Sequence, residues 1–119
     1  MACEVEYTDE FGVWWADLSE AEQVDVAATV TLLETRDVRL GFPHPSGTKD
    51  SRHSHMRELR VQSGGKPVRI FYAFDPVRNA ILLIGGDKTG DDRFYEVFVP
   101  LADELYDKHL ADLKKEGLI

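Results

Sequence analysis

Polar and apolar positions alternate along Arg57-Glu58-Leu59-Arg60-Val61-Gln62, pause at Gly64-Gly65, and alternate again along Val68-Arg69-Ile70-Phe71-Tyr72-Ala73-Phe74. A period of two marks a strand with one buried face, and adjacent glycines suit the left-handed backbone of a tight hairpin turn. Centring the turn on Gly64-Gly65 pairs Leu59 with Ile70, Val61 with Val68 and Arg60 with Arg69. The first two pairs fit a core face. The third sets like charges opposite each other, which weakens strand pairing by about 0.2–1 kcal/mol. A chain that keeps such a pair is expected to place an anion there. Phosphate is the natural choice, because the planar guanidinium fork binds it bidentately and stays charged.

The same patterning predicts the remaining elements. Glu4-Val5-Glu6-Tyr7 alternates as a short first strand, and Phe11, Trp14, Trp15 and Leu18 fall on one helical stripe. Ser19-Glu20-Ala21-Glu22 has the form of a capping box, opening a second helix to about Arg36 with Val26, Val30 and Leu33 as its apolar row. The two helices are expected to form a hairpin. From Gly41 to His55 the composition turns to Gly, Pro, Ser, Thr and His, which predicts a long loop. Asp75-Pro76-Val77-Arg78-Asn79 reads as a turn, and Ala80-Ile81-Leu82-Leu83-Ile84 as a central strand covered on both faces. Gly85-Gly86-Asp87-Lys88-Thr89-Gly90 is expected to end that strand in a glycine-rich turn. A last helix follows, with Phe94, Val97, Phe98, Leu101 and Leu105 as core, Asp91 or Asp92 as N-cap, and Pro100 kinking or splitting it near Val99.

This order describes an α+β fold: a small, mostly antiparallel sheet with an N-terminal helical hairpin, a C-terminal helix, and helices across one face. At 119 residues, 43% of them hydrophobic, a single domain spanning 1–119 is expected. The acidic opening segment does not resemble a signal peptide, and no stretch approaches the length of a membrane span, so a cytoplasmic protein is expected. Cys3 has no companion cysteine and reads as a small packing residue.

The formal net charge of −8 opposes free binding to nucleic acid, but the charge is unevenly spread. Residues 1–50 carry net −8, whereas residues 51–99 carry net +2, and Arg52, Arg57, Arg60, Lys66 and Arg69 fall within one short stretch against Glu58 alone. A basic face on an acidic body is therefore expected.

Glu58-Leu59-Arg60, Val68-Arg69-Ile70-Phe71-Tyr72 and Leu82-Leu83-Ile84-Gly85-Gly86-Asp87-Lys88 stand in an order and spacing that resembles the RelE/HigB superfamily of bacterial toxins, in its phage-derived HigB-like branch. The resemblance covers roughly residues 4 to 110. It implies a ribosome-dependent endoribonuclease that cuts messenger RNA during translation. It also implies a helix-turn-helix antitoxin as protein partner, alongside the ribosome and mRNA. Carried over by motif, Arg60, Arg69 and Lys88 belong to the active surface, while Thr89 stands where relatives have a second lysine. The acidic residues Asp17, Glu20, Glu22 and Asp25 are expected to face solvent or a basic antitoxin segment.

Cleavage of RNA by its own 2′-hydroxyl needs a base, cations for the phosphorane and an acid for the departing 5′-oxygen. The reading assigns Arg60 and Arg69 to the scissile phosphate, Lys88 to a supporting clamp, and His55 or Tyr95 to proton transfer, with Arg57, Lys66, Arg52 and His53 as substrate-binding residues. It calls for no cofactor and no metal, since His53 and His55 lack a third ligand at fitting spacing. His44 and His109 read as surface residues. Two other readings stand beside this one: a non-catalytic protein of the same fold acting by binding a partner, and an unrelated small binding domain in which the arginines are solvated residues bridged to carboxylates.

Overall fold

The computed structural model describes residues 4–36, 51–53 and 56–119. Cys3, His44, His55 and nearly all of the Gly41–His55 loop lie outside them. Strand β1 (Val5–Tyr7) leads into helices α1 (Asp9–Ala16) and α2 (Glu20–Arg36), followed by strands β2 (Met56–Ser63), β3 (Lys66–Phe74) and β4 (Ala80–Asp87) and helix α3 (Phe94–Lys115). The strands form one sheet in the order β1-β4-β3-β2, antiparallel except where β1 pairs in parallel with β4.

The hairpin register is the expected one: Leu59 opposes Ile70, Arg60 opposes Arg69 and Val61 opposes Val68. Gly64 and Gly65 turn it with φ of 57° and 79°, backbone that costs glycine little and other residues more. The capping box forms as well. The Glu22 amide donates to Ser19 Oγ at 3.2 Å and the Ser19 amide donates to Glu22 Oε1 at 2.9 Å, so two otherwise unsatisfied donors are paired at the start of α2. Thr8 caps α1 by accepting from the Phe11 amide while its hydroxyl donates to the Leu83 carbonyl, which ties that helix start to β4.

Helices cover both faces of the sheet rather than one. Leu59, Val61, Val68, Ile70, Tyr72 and Leu82 point toward α1 and α2, where Phe11, Val26 and Leu33 are buried against them. Met56, Phe71, Ala73, Ile81 and Leu83 point the other way, under α3. The second layer follows from the apolar residues Phe71 and Ala73, which share a face with Arg69 and would otherwise be left in water. Phe71 is fully buried, its ring stacked at 6.0 Å from Phe94 and 6.4 Å from Phe98, and burial of such a ring contributes about 1.5–3 kcal/mol. A bulge at Phe71/Tyr72 opposes Phe71 to Ile84 and Tyr72 to Leu82, so that Leu83 and Ile84 both join the α3 layer.

Five local expectations are corrected. Strand β4 continues through Gly85 and Gly86, because a side chain there would meet neighbours from both layers: a Cβ on Gly85 would lie 2.4 Å from the Trp14 ring, and one on Gly86 would lie 2.7 Å from Phe98. Helix α3 runs unbroken through Pro100. Its N-cap is Arg93 rather than Asp91 or Asp92, and Asp91 instead accepts the Arg93 amide through Oδ1. Val97, expected in the core, is 56% exposed, since Phe94, Phe98 and Leu101 already fill the stripe that meets the sheet. His109 is not a free surface residue either: its Nε2 lies 2.8 Å from Oδ2 of the buried Asp75, joining α3 to the β3–β4 turn.

Candidate functional site

The alternation of β2 and β3 decides which charged side chains can meet. Glu58 and Arg60 fall on the α3 side of β2, and Arg69 falls on the same side of β3, directly opposite Arg60. At this end of the sheet the first turn of α3 brings in Tyr95, and the residue after β4 is Lys88, whose amide donates to the Pro67 carbonyl and extends the ladder. Gly86 lies opposite Arg69, and its missing side chain leaves room for the Phe94 and Phe98 rings. The α3 N-terminus can therefore sit close over the strands, with Tyr95 reaching Glu58.

The cluster is organised around a buried carboxylate. Glu58 is 5% exposed, and its Oε1 accepts the Tyr95 hydroxyl at 3.3 Å and Arg60 Nε at 3.4 Å. Arg60 carries its charge outward, with 40% of the side chain exposed, whereas Arg69 is 9% exposed. Arg69 Nη1 donates to the Val68 carbonyl at 3.0 Å, and its buried Nε has no hydrogen-bond acceptor among the described residues. The Lys88 ammonium lies 5.2 Å from the centre of the Tyr95 ring, a distance at which a cation is attracted to the aromatic face. Burial pushes the Tyr95 hydroxyl above the ordinary tyrosine value, and the Glu58 charge adds to that rise while Arg69 opposes it. At neutral pH Tyr95 thus holds its proton and can donate it.

Of the nine residues singled out in the sequence, Arg60, Arg69, Lys88 and Tyr95 come together here. Arg57 and Lys66 do not. Both lie on the opposite side of the hairpin, in phase with Leu59 and Ser63, and Lys66 pairs with Glu22 of α2 at 3.2 Å. Arg52 and His53 sit at the far end of β2, where the His53 carbonyl accepts the Met56 amide. They are bound to α3: Arg52 Nη2 donates to Asp107 Oδ2 at 2.7 Å, His53 Nε2 lies 2.8 Å from Asp107 Oδ1, and buried Asp103 accepts the Arg52 amide and the Ser51 hydroxyl. Asp103 and Asp107 follow Tyr95 by eight and twelve residues, about 12–18 Å along the helix, so this group forms a separate anchor. The Arg52 and His53 hydrogen bonds hold the Asp107 carboxyl below its usual range.

Glu58 is the residue that sequence reading left out of the site. Its spacing of two from Arg60 on an alternating strand was the available signal, because it puts both side chains on one face.

This fold has counterparts among known proteins. Residues 13–107 match the family described as Phage derived protein Gp49-like. The Mycobacterium tuberculosis (strain ATCC 25618 / H37Rv) protein named "Putative toxin HigB3" is 39% identical over 99 residues, covering 82% of this chain and 85% of that relative. "Putative toxin HigB2" of the same strain is 36% identical over 108 residues, 89% of this chain, which spans about half (54%) of that longer relative. Among solved structures, an arginine-to-alanine double mutant of E. coli toxin RelE in the free state superposes with a TM-score of 0.60 at 10% identity, over 82% of this chain and 96% of that one. A chain of the intact E. coli RelBE toxin–antitoxin complex gives 0.55 at 8% identity, over 71% of this chain and 95% of that one. The RelE likeness is one of fold. The sequence likeness goes further, and by it the chain belongs to the phage-derived Gp49-like family as a homologue of HigB toxins of toxin–antitoxin systems.

Proposed function

We propose that this protein is a toxin that cuts messenger RNA on the translating ribosome, in the cytoplasm, and is neutralised by a helix-turn-helix antitoxin. The observation that carries the proposal is the Arg60–Arg69 pair. Two arginines oppose each other in the register of the hairpin, where like charges disfavour pairing, and Arg69 is buried with a donor left over. A phosphate between them would relieve the repulsion and take up buried donors, and preorganised cations aimed at developing charge lower the barrier to phosphoryl chemistry most.

In this reading Arg69 and Arg60 hold the scissile phosphate and Lys88 adds a third cation. Tyr95, whose proton is held at neutral pH, serves as donor to the departing 5′-oxygen. Glu58 orients Tyr95 and Arg60 through its shared Oε1. His55 is proposed as the second proton-transfer group. The antitoxin proposal draws on the RelBE complex among proteins of this fold.

The test is induced expression in bacteria, read as growth arrest and as new messenger RNA 5′ ends mapped within open reading frames. The proposal requires both for the wild type and neither for Arg69→Ala at equal protein level. Arrest without new 5′ ends would favour a non-catalytic protein acting through a partner.

A further inference from the structure

On the sheet face away from the arginine pair, β1, α1 and α2 leave a groove of about 490 Å³. Its floor and walls are apolar, with Val5, Phe11, Trp15, Val26, Val30 and Leu82, and Glu34 stands on its lining. Helix α1 packs over β4 and α2 over β2, so the helices straddle the sheet and leave the groove between them. Tyr7, on the lining, is 66% exposed, and Val13, Val24 and Leu32 are exposed on the two helices. The charge of these elements is one-sided. Residues 4–34, which supply all of the lining except Leu82, hold nine Asp/Glu and no Lys or Arg. Lys66 and Lys108 reach Glu22 and Glu10 from other elements, while Glu4, Asp9, Asp17, Glu20 and Glu34 are exposed.

We propose that this groove docks a basic amphipathic helix of a partner protein, with apolar side chains at i, i+3, i+4 and i+7 in the groove and Lys/Arg toward the acidic flanks. The charge selects the partner. An acidic surface repels nucleic acid and, because this chain is itself at net −8, disfavours a second copy. The site is distinct from the Arg60–Arg69 cluster and does not rest on the nuclease reading, because the two occupy opposite faces of the sheet.

The probe is a helical model peptide with leucines at those positions and lysines elsewhere, compared with a version carrying glutamates for lysines. Binding is followed by calorimetry and by the indole resonances of Trp15. The lysine peptide should bind and shift Trp15, the glutamate peptide should bind at least about tenfold more weakly, and Ala27→Trp, which fills the groove from the exposed side of α2, should weaken lysine-peptide binding about tenfold. Glu34→Lys tests the same site without altering its floor and should also weaken binding, while Glu116→Lys at the end of α3 should not. Equal losses for Glu34→Lys and Glu116→Lys would mean diffuse charge attraction and overturn the proposal. So would unchanged binding by a folded Ala27→Trp variant, or a concentration-dependent dimer closing over Trp15 in the absence of peptide.

Discussion

The Tyr95 hydroxyl stands 3.3 Å from Glu58 Oε1, the same oxygen that accepts Arg60 Nε. One buried carboxylate thereby couples the first turn of α3 to the hairpin, and removing its charge has a defined sign. Glu58→Gln keeps the shape and takes away one of the two influences that raise the Tyr95 value, burial being the larger. The Tyr95 titration, followed by NMR of the ring, should move downward in the variant. An unmoved titration would mean that the carboxylate does not act on this hydroxyl.

The same shift bears on stability. Because the folded value of Tyr95 lies above the unfolded one of about 10, its contribution is complete below that pH and is lost as pH rises through the folded value. Urea midpoints measured across that alkaline range should fall less steeply for Tyr95→Phe than for the wild type.

Asp107 has the opposite sign. Its depressed value gives a contribution present above the ordinary carboxylate range of about 4 and lost as pH falls through the folded value. Acidification into that range, or Asp107→Asn at neutral pH, should loosen the segment at Arg52 and His53. Faster amide exchange at these residues, with β3 and β4 unchanged, is the expected result.

Gly85 and Gly86 are kept small by packing. Gly85→Ala drives a methyl group into Trp14 and should lower stability by about 1–3 kcal/mol, read as a fall in the thermal midpoint. Gly86→Ala should also displace Phe94 and Phe98 and with them Tyr95, so its effect on activity should exceed what its stability loss explains. A midpoint unchanged in Gly85→Ala would contradict the close approach of α1.

These contacts also show where the sequence was legible. The Arg60–Arg69 register could be read because a glycine pair fixes the turn and the turn fixes every partner behind it, and the capping box at Ser19 is equally local. Gly85-Gly86 could not, since two glycines serve a turn and a crowded strand alike, and only Trp14 and Phe98, distant along the chain, decide between them. Phase separates Arg57 and Lys66 from the arginine pair. A residue one step from Arg60 points to the other face, so clustering along the chain did not become clustering in space. Phe71 and Ala73, apolar and in phase with Arg69, are the residues in the sequence that require α3 to cover this face.

Arg69→Met offers the most direct measurement, because it separates folding from chemistry. Arg69 is buried and its Nε has no acceptor among the described residues, so an apolar side chain of similar length removes the cost of burying that charge, and the thermal midpoint should hold or rise. If this guanidinium binds the scissile phosphate, cleavage of messenger RNA on programmed ribosomes should fall by about 10²–10³-fold or more in the same variant. Cleavage at the wild-type rate by a folded Arg69→Met protein would mean that this guanidinium does not hold the scissile phosphate.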